Sequence, residues 1–390
     1  MARPVYITGM ASFLPGQPVT NDQLDNYLLG SDRVAMRTRR LILKNNGIDT
    51  RHYAIEPGSG GLSHSNAQLA AAAVRELCEE KGMEPAEINC LSCGTSSPDQ
   101  LMPGHASMVH GELGAESCEI NSSAGICLSG IMAMKYAAMT VALGLSRKAV
   151  ATGSELASTF LRPTFFQEEE TASKGGDAEA GRHPAFSFAA EFLRWMLSDG
   201  AGAMLLEDSP APAGPSLKVE WIEIDSQAHR METCMYAGGI KEEDGSLKGW
   251  RDFATISEAG AQGAMAIKQD ARLLNREVIR VLVGDCLPPI IAKHQLSPDE
   301  IDWFLPHYSS AYFRQPLFDM LTEIEFPIPF AKWFTNLATR GNTGSASFYI
   351  MLAELFASGR LKEGEKILCF IPESGRFAVG YILLTVVSAD

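Results

Sequence analysis

The chain is sparing with cysteine and with positive charge, and it lacks any long apolar run. Eight cysteines in 390 residues are too few for a disulfide scaffold, and most sit in apolar stretches where a free thiol behaves as a small hydrophobe. Cys90 and Cys93 form a single CxxC pair within INCLSCGTS. With no second pair and no histidine at ligand spacing, it falls short of the roughly four ligands a zinc site needs, so no metal and no cofactor are expected. No stretch of about eighteen apolar residues occurs, which argues against a helical membrane span. Lysine and arginine together number 33 against 47 acidic residues, a net charge of −14. That balance argues against a nucleic-acid partner, since phosphate contacts require a basic surface. The opening MARPVYITGMASFLPG has no apolar core before a small-residue cleavage site. It reads as a first strand running into a Gly/Pro turn, so a cytoplasmic location is expected.

What is present is a chain that is 46% hydrophobic and 21% charged, enough to bury a large core and too apolar to be disordered. One local charge cluster breaks the acidic average. Arg33, Arg37, Arg39, Arg40 and Lys44 crowd together, either as a docking patch for a phosphorylated or acidic partner or as a solvated face.

The chain also repeats itself. PAEINCLSCGTSS from Pro85 matches PDEIDWFLPHYSS from Pro298, each a short apolar run emptying into a Ser pair, the pattern of a buried strand ending in a loop. SSAGICLSGIMAMKYAAMTVALG and TRGNTGSASFYIMLAELFASG both pass from small polar residues into an apolar helix closed by Gly. KAVATGSE from Lys148 and KILCFIPE from Lys366 follow as strands ending in turns. Three matched pairs in one order predict an internal duplication, with halves of 1–210 and 211–390. The central helices, apolar nearly all round at Ile131, Met132, Met134 and Met139 and at Phe348, Ile350, Met351 and Leu355, should lie between two sheets. The expected architecture is α/β, a five-layer α-β-α-β-α sandwich. Residues 162–184, within an insertion at about 160–190, are acidic, Gly-rich and aperiodic, and read as a surface excursion. A second irregular stretch, from Ser226 to Asp252, either caps a substrate pocket or is a solvated loop.

Three residues are candidates for chemistry. Cys127, in AGICLSGIMAM, lies where a Gly/Ser turn becomes a buried helix. Such a helix start should lower the thiol below its usual value of about 8.5, and its free N–H groups can hold an oxyanion; the alternative is an inert buried cysteine. His307, in FLPHYSS, closes the matching strand of the second half, where open α/β sheets place reactive groups. His105 and His110 read as helix-face or interface residues. Asn342, in RGNTGSAS, occupies in the second half the position of Cys127 in the first. An amide and an imidazole can both donate to one oxygen, which suits a thioester enolate; ordinary cap and loop duty is the competing role for each.

These segments, together with NNGIDTRHYA, TSSPDQLMPGHAS, ATGSELAS and LSDGAGAMLLE, resemble the 3-oxoacyl-acyl-carrier-protein synthase III branch of the thiolase superfamily over almost the full length. The ordered set Cys, then PH, then GNT is the specific part. The resemblance implies a thiolase fold and a homodimer. It implies that Cys127 takes an acyl group from an acyl-carrier-protein or coenzyme A thioester. His307 and Asn342 then stabilise the enolate of a second, often malonyl, thioester. By the same likeness, the backbone N–H of Cys127 and one from the Ser374 to Phe377 turn, at Gly375 or Arg376, form an oxyanion hole, and Met102 borders the partner's acyl tunnel. There are departures. Leu41 and Asn45 stand where coenzyme A users carry a Trp and an Arg, which favours a carrier protein. Ser374-Gly375-Arg376 replaces three glycines, so Arg376 either contacts a substrate oxygen or braces the loop. Met102 replaces a bulkier aromatic, leaving room for a longer or β-oxidised chain. These departures are similar to the subgroup that joins two β-ketoacyl thioesters into a cyclohexanedione, the dialkylresorcinol precursor. The alternative activity is acyl transfer from Cys127 without carbon-carbon bond formation, for which Asn342 would be dispensable.

Overall fold

Strands that read as apolar on both faces must be covered on both faces, and the arrangement of the core follows from that. The computed structural model describes residues 2–28, 33–161 and 193–388, with the side chains of 33–39 not described. The acidic excursion at 162–184 and the side chains of Arg33, Arg37 and Arg39 therefore lie outside the described residues, while Arg40 and Lys44 are exposed on a helix over Arg33–Asn46. Nine strands form the main sheet: β1 (Tyr6–Phe13), β2 (Cys90–Thr95), β3 (Glu119–Ala124), β4 (Ala149–Glu155), β5 (Gly200–Glu207), β6 (Pro215–Ser226), β7 (Trp303–Pro306), β8 (Lys366–Glu373) and β9 (Ala378–Ser388). They pair in the order β7-β8-β9-β6-β1-β5-β4-β2-β3.

The order mirrors itself about its middle. At one end β2 runs parallel to β3 and β4, while β4 and β5, then β5 and β1, are antiparallel. At the other, β7 runs parallel to β8, while β8 and β9, then β9 and β6, are antiparallel. A parallel bridge between Phe304 and Trp333 stands where β3 stands in the first run. The runs meet through a short antiparallel pairing, Tyr6 with Lys218 and Ile7 with Leu217. The three sequence pairs fall on mirrored elements: β2 with β7, β4 with β8, and the two helices that follow the Cys127 and Asn342 turns. Even the lead-ins agree, since a Pro-initiated 3-10 turn precedes both β2 and β7, at Pro85–Glu87 and Pro298–Glu300.

Among the described residues, the helices that cover these strands include α1 (Asn66–Lys81), α2 (His105–Leu113), α3 (Ser129–Ala142), α4 (Ala271–Ile279), α5 (Leu287–His294), α6 (Arg314–Glu323) and α7 (Ser347–Ala357). Helix α1 shows why its boundaries fall where they do: Ser65 and Gln68 form a capping box and Gly82 ends it in the left-handed region, the two devices that satisfy orphan helix-end groups. Alternate residues of each strand feed different cores. Leu91, Val150, Ala203 and Leu205 meet Leu69, Ala73 and Val74 of α1. Met204 and Leu206, with Ile367, Cys369, Ile382 and Leu384, close on α3 and α7 from both sides. Leu368, Phe370, Tyr381 and Leu383 meet Leu274, Val278, Leu317 and Leu321 of α4 and α6. Three cores between five layers are the sandwich the sequence predicts.

The central layer departs from expectation in one respect. Phe348, Ile350, Met351 and Leu355 of α7 are fully enclosed, but Met139 of α3 is 47% exposed. Helix α3 lies under β3, the sheet's outermost strand, and Tyr136 on its outer side hydrogen-bonds the Glu119 carboxylate of β3, so one face of α3 reaches past the sheet. What lets α7 sit so deep is glycine. A Cβ on Gly153 would lie 2.3 Å from the Ser345 carbonyl oxygen and 2.8 Å from the Tyr349 ring, one on Gly130 2.4 Å from the same oxygen, and one on Gly202 2.4 Å from the Tyr349 Cβ. Tyr349 completes the contact by donating to the Gly130 carbonyl at 2.7 Å.

Gly153→Ala should therefore destabilise the fold by about 2–4 kcal/mol through overpacking against backbone. Gly111→Ala, on α2 with nothing within 4 Å of its Cβ, should be neutral or stabilising by up to about 1 kcal/mol. Urea unfolding of the two variants measures both; equal effects would show that the central contact is not tight.

Candidate active site

Cys127 follows β3 on a turn, Gly125 to Leu128, that leads directly into α3. His307 follows β7, its backbone N–H held by the Phe370 carbonyl at 2.8 Å. Pro306 before it closes β7 next to β8, at the end of a strand bonded to a neighbour on only one full side, where a missing N–H is tolerated. Asn342 is fixed by its backbone, donating to the Met196 carbonyl and accepting from the Ser198 N–H, each at 2.9 Å. Its neighbours are conformationally specialised: Gly341 and Gly344 both have positive φ, and a Cβ on Gly344 would lie 2.3 Å from the Glu155 carboxylate.

These three side chains line one cavity, part of it open to solvent. Ser96, Glu155, Gln269, Tyr308, Ser309 and Ser374 supply its other polar positions. Ile126, Phe160, Leu193, Leu197, Met235, Ile267, Leu274 and Val278 make much of the wall. Met235 comes from the irregular stretch 226–252, which thus contributes to the pocket wall. It pairs as a two-residue strand, Met235–Tyr236, with Lys268–Gln269.

The donors are set by hydrogen bonding. The Asn342 Oδ1 accepts the Gly344 N–H at 3.0 Å, which leaves the amide Nδ2 as its donor toward the cavity. The His307 ring makes no side-chain hydrogen bond among the described residues, and burial lowers it to about 4, so at neutral pH it is an uncharged imidazole with one donor and one acceptor nitrogen. Cys127 corrects an expectation. Its thiol is pushed well up by burial, then by the Glu373 and Glu155 carboxylates. Glu373 Oε2 accepts the N–H groups of Ile126 at 2.9 Å and Leu128 at 3.1 Å, on the turn just ahead of α3, and so stands beside the thiol.

Other sequence expectations fall elsewhere. Leu41 and Asn45 are exposed and do not line the cavity. Met102 is 82% exposed and also lies off the cavity wall of the single chain. Arg376 turns away: its Nε donates to the Met231 carbonyl at 2.8 Å, bracing the loop. Gly375 is tied by its carbonyl to the N–H groups of Cys234 and Met235. Of that turn, Ser374 is the residue on the cavity wall, with its hydroxyl accepting from Gln269 at 2.8 Å. Sequence reasoning missed Glu155 and Glu373. Glu155 is fully enclosed and accepts the Ser96 hydroxyl at 2.7 Å, the Ser97 hydroxyl and the Ser345 N–H at 3.1 Å, so its buried charge is met by three donors. The signal was there: KAVATGSE and KILCFIPE end in the same residue. Among the described residues no cluster of His, Cys, Asp and Glu could hold a metal, and no helix is long and apolar enough to cross a membrane.

Comparison with known proteins gives the following likenesses. Residues 291–382 match the family model for the 3-oxoacyl-[acyl-carrier-protein (ACP)] synthase III C terminal. The chain is 24% identical over 387 residues to the beta-ketoacyl-[acyl-carrier-protein] synthase III of Methylococcus capsulatus, covering 98% of this chain and 99% of that protein. It is 25% identical over 371 residues to the Hyphomonas neptunium protein of the same name, covering 94% and 95%. The chain is synthase III-like. Among solved structures, AbyA1, a tetronic acid condensing enzyme, superposes with a TM-score of 0.73 at 22% identity, covering 98% of this chain and 99% of that one. Xanthomonas campestris OleA with bound lauric acid and lauroyl-CoA superposes with a TM-score of 0.74 at 22% identity, covering 99% and 100%. The thiolase fold is thereby shown.

Because burial alone lowers His307, its imidazole should stay neutral in an NMR pH titration from pH 8 down to about 4. Protonation near the ordinary value of about 6.5 would mean that the ring is solvated and the cavity wetter than described.

Proposed function

We propose that this synthase III-like chain is a ketosynthase that carries an acyl group on Cys127 and condenses it with a second thioester. The observation that supports the reading is the meeting of Cys127, His307 and Asn342 in one largely apolar cavity. In the first step the Cys127 sulfur bonds to the thioester carbonyl carbon, the carrier's carbon–sulfur bond breaks, and the thiol proton ends on the departing sulfur. In the second, the other thioester loses an α-proton, or carbon dioxide where it is a malonyl unit, to give an enolate; its α-carbon bonds to the acyl carbonyl carbon, the bond to the Cys127 sulfur breaks, and the sulfur takes up that α-proton or one from solvent. His307 and Asn342 Nδ2 donate to the enolate oxygen, each such donor supplying about 3 kcal/mol in a water-poor site.

Leu41 and Asn45 offer neither an aromatic ring nor a guanidinium to clamp a nucleotide, which favours a carrier-protein thioester over coenzyme A. The departures at Leu41, Asn45, Met102 and the Ser374-Gly375-Arg376 turn are similar to those of the subgroup that joins two β-ketoacyl thioesters and closes a cyclohexanedione, and the reading extends to that activity. We also read the protein as a cytoplasmic homodimer, its chain dividing near residue 210 between β5 and β6. The outer edge of β3 is unpaired, and Ile120, Met139 and Leu143 are exposed on β3 and at the end of α3, the kind of edge and apolar surface that proteins cover.

Intact-protein mass spectrometry after exposure to acyl thioesters should show an adduct that Cys127→Ala abolishes. Asn342→Ala should still load the acyl group but lose on the order of 10²–10³ in condensation rate. An unchanged condensation rate in Asn342→Ala would point to simple acyl transfer, and β-ketoacyl pairs giving only a linear product would rule out the cyclising activity.

A further inference from the structure

Gln269 and Ser374 meet on the cavity wall without a complete set of partners. Gln269 is 3% exposed, and its Nε2 donates to the Ser374 hydroxyl at 2.8 Å. Its second N–H and its Oε1 take no hydrogen bond among the described residues. The Ser374 hydroxyl in turn donates to the Met235 sulfur at 3.7 Å, and a thioether is a weak acceptor. Met235, Ile267, Leu274 and Val278, near neighbours of the pair in the chain or across the strand pairing, line the same cavity with apolar atoms. Buried polar groups ordinarily find partners, so a pair left incomplete on a pocket wall points to a ligand atom.

Holding the wall together does not require this pair. The Gly375 carbonyl already accepts the Cys234 and Met235 N–H groups at 2.8 and 3.3 Å. Gln269 pairs through its backbone with Met235, and the adjoining Asp270 caps α4 by accepting the Leu273 N–H at 3.0 Å. Both side chains thus stand on backbone that is fixed before a ligand arrives, which lowers the ordering cost of binding. The pair is also close to the nucleophile. Ser374 follows Glu373, whose carboxylate accepts the N–H groups on both sides of Cys127, and a Cβ on Gly375 would lie 2.9 Å from the Ile126 side chain. The turn that bears the Ser374 hydroxyl therefore abuts the turn that bears the Cys127 sulfur.

We propose that Gln269 and Ser374 form a polar subsite for the β-oxo oxygen of the acyl chain on Cys127, so that the enzyme selects β-oxoacyl over saturated acyl groups. The inference rests on the reading of Cys127 as the acyl carrier and deepens it by naming the residues that read the substrate. A ketone oxygen accepts hydrogen bonds and donates none; the pair offers it two donors, the Ser374 O–H and the second Gln269 N–H. The β-carbon is two bonds from the thioester carbon, so its oxygen lies at the start of the chain, where the Ser374 turn stands. Turning the Ser374 proton from a thioether to a ketone exchanges a weak bond for an ordinary one. A saturated chain would cover the same donors with a methylene and leave them unpaired, the condition under which a site discriminates strongly.

The test compares loading of Cys127, followed by intact mass, from β-oxoacyl and saturated acyl pantetheine thioesters of equal chain length. The wild-type protein should load the β-oxoacyl group with a kcat/KM about tenfold to hundredfold higher. Equal values, or a preference for the saturated chain, overturn the proposal whether or not any variant folds. Ser374→Ala and Gln269→Leu should each lower the ratio by about tenfold, and Ser374→Thr, which keeps the hydroxyl, should lower it less than Ser374→Ala. Because the ratio is taken within one protein, partial unfolding of a variant reduces both rates and does not imitate the expected change. A wild-type ratio in both Ser374→Ala and Gln269→Leu places the selectivity elsewhere and contradicts the proposal. A protein that loads neither thioester defeats the proposed function and this subsite with it; one that loads both alike defeats the subsite alone.

Discussion

The structure depends on one close approach, the start of α7 pressed onto a floor of glycines. The Ser345 carbonyl and the Tyr349 ring come so near Gly130, Gly153 and Gly202 that no Cβ fits at any of them. Because α7 is the helix that follows the Asn342 turn and Gly130 lies in the first turn of α3, the contact sets how far apart the two reactive turns stand. The apolar burial of α3 and α7 drives the sheets together, and the glycines decide how close they come. With any side chain there, both turns would be displaced together, and with them the cavity.

The same centre concentrates polarity that an apolar layer ordinarily excludes. Glu155 and Glu373 are buried carboxylates, both raised by desolvation first, with hydrogen bonds from hydroxyls and backbone N–H groups acting in the opposite direction. Their bonds cross between the mirrored runs of the sheet, so they add directional contacts to a core otherwise held by non-directional burial. The His307 ring is subject to the same desolvation with no side-chain hydrogen bond among the described residues, and its neutrality is the direct result. The site thus offers neutral donors in a low-dielectric pocket, where a hydrogen bond to a developing oxyanion is stronger than in water.

Much of this was legible in the sequence because it is repetitive. PAEINCLSCGTSS against PDEIDWFLPHYSS put β2 and β7 in register before any coordinate was known, and the paired glycine-rich helix starts placed Cys127 opposite Asn342. Short apolar runs emptying into loops implied buried strands covered by helices on each side. What the sequence concealed was pairing across the repeat. Nothing local marks Glu373 as the partner of a turn 247 residues earlier, so the Cys127 turn read as having no carboxylate beside it. Met139 read as core because the helix is apolar all round; only the position of β3 at the sheet edge shows that one face emerges. Leu41, Asn45 and Met102 were placed by likeness alone, and a likeness transfers position along the chain without transferring the wall of a cavity.

The central claim is that the two mirrored runs deliver a sulfur, an imidazole and an amide to one point. A crystal structure of the protein acylated on Cys127 and soaked with a non-reactive analogue of the second thioester tests it most directly. The account predicts the acyl group on Cys127, with the analogue's carbonyl oxygen within about 2.7–3.1 Å of both a His307 ring nitrogen and Asn342 Nδ2. An acyl group on another residue, or an analogue oxygen that reaches neither donor, would contradict it.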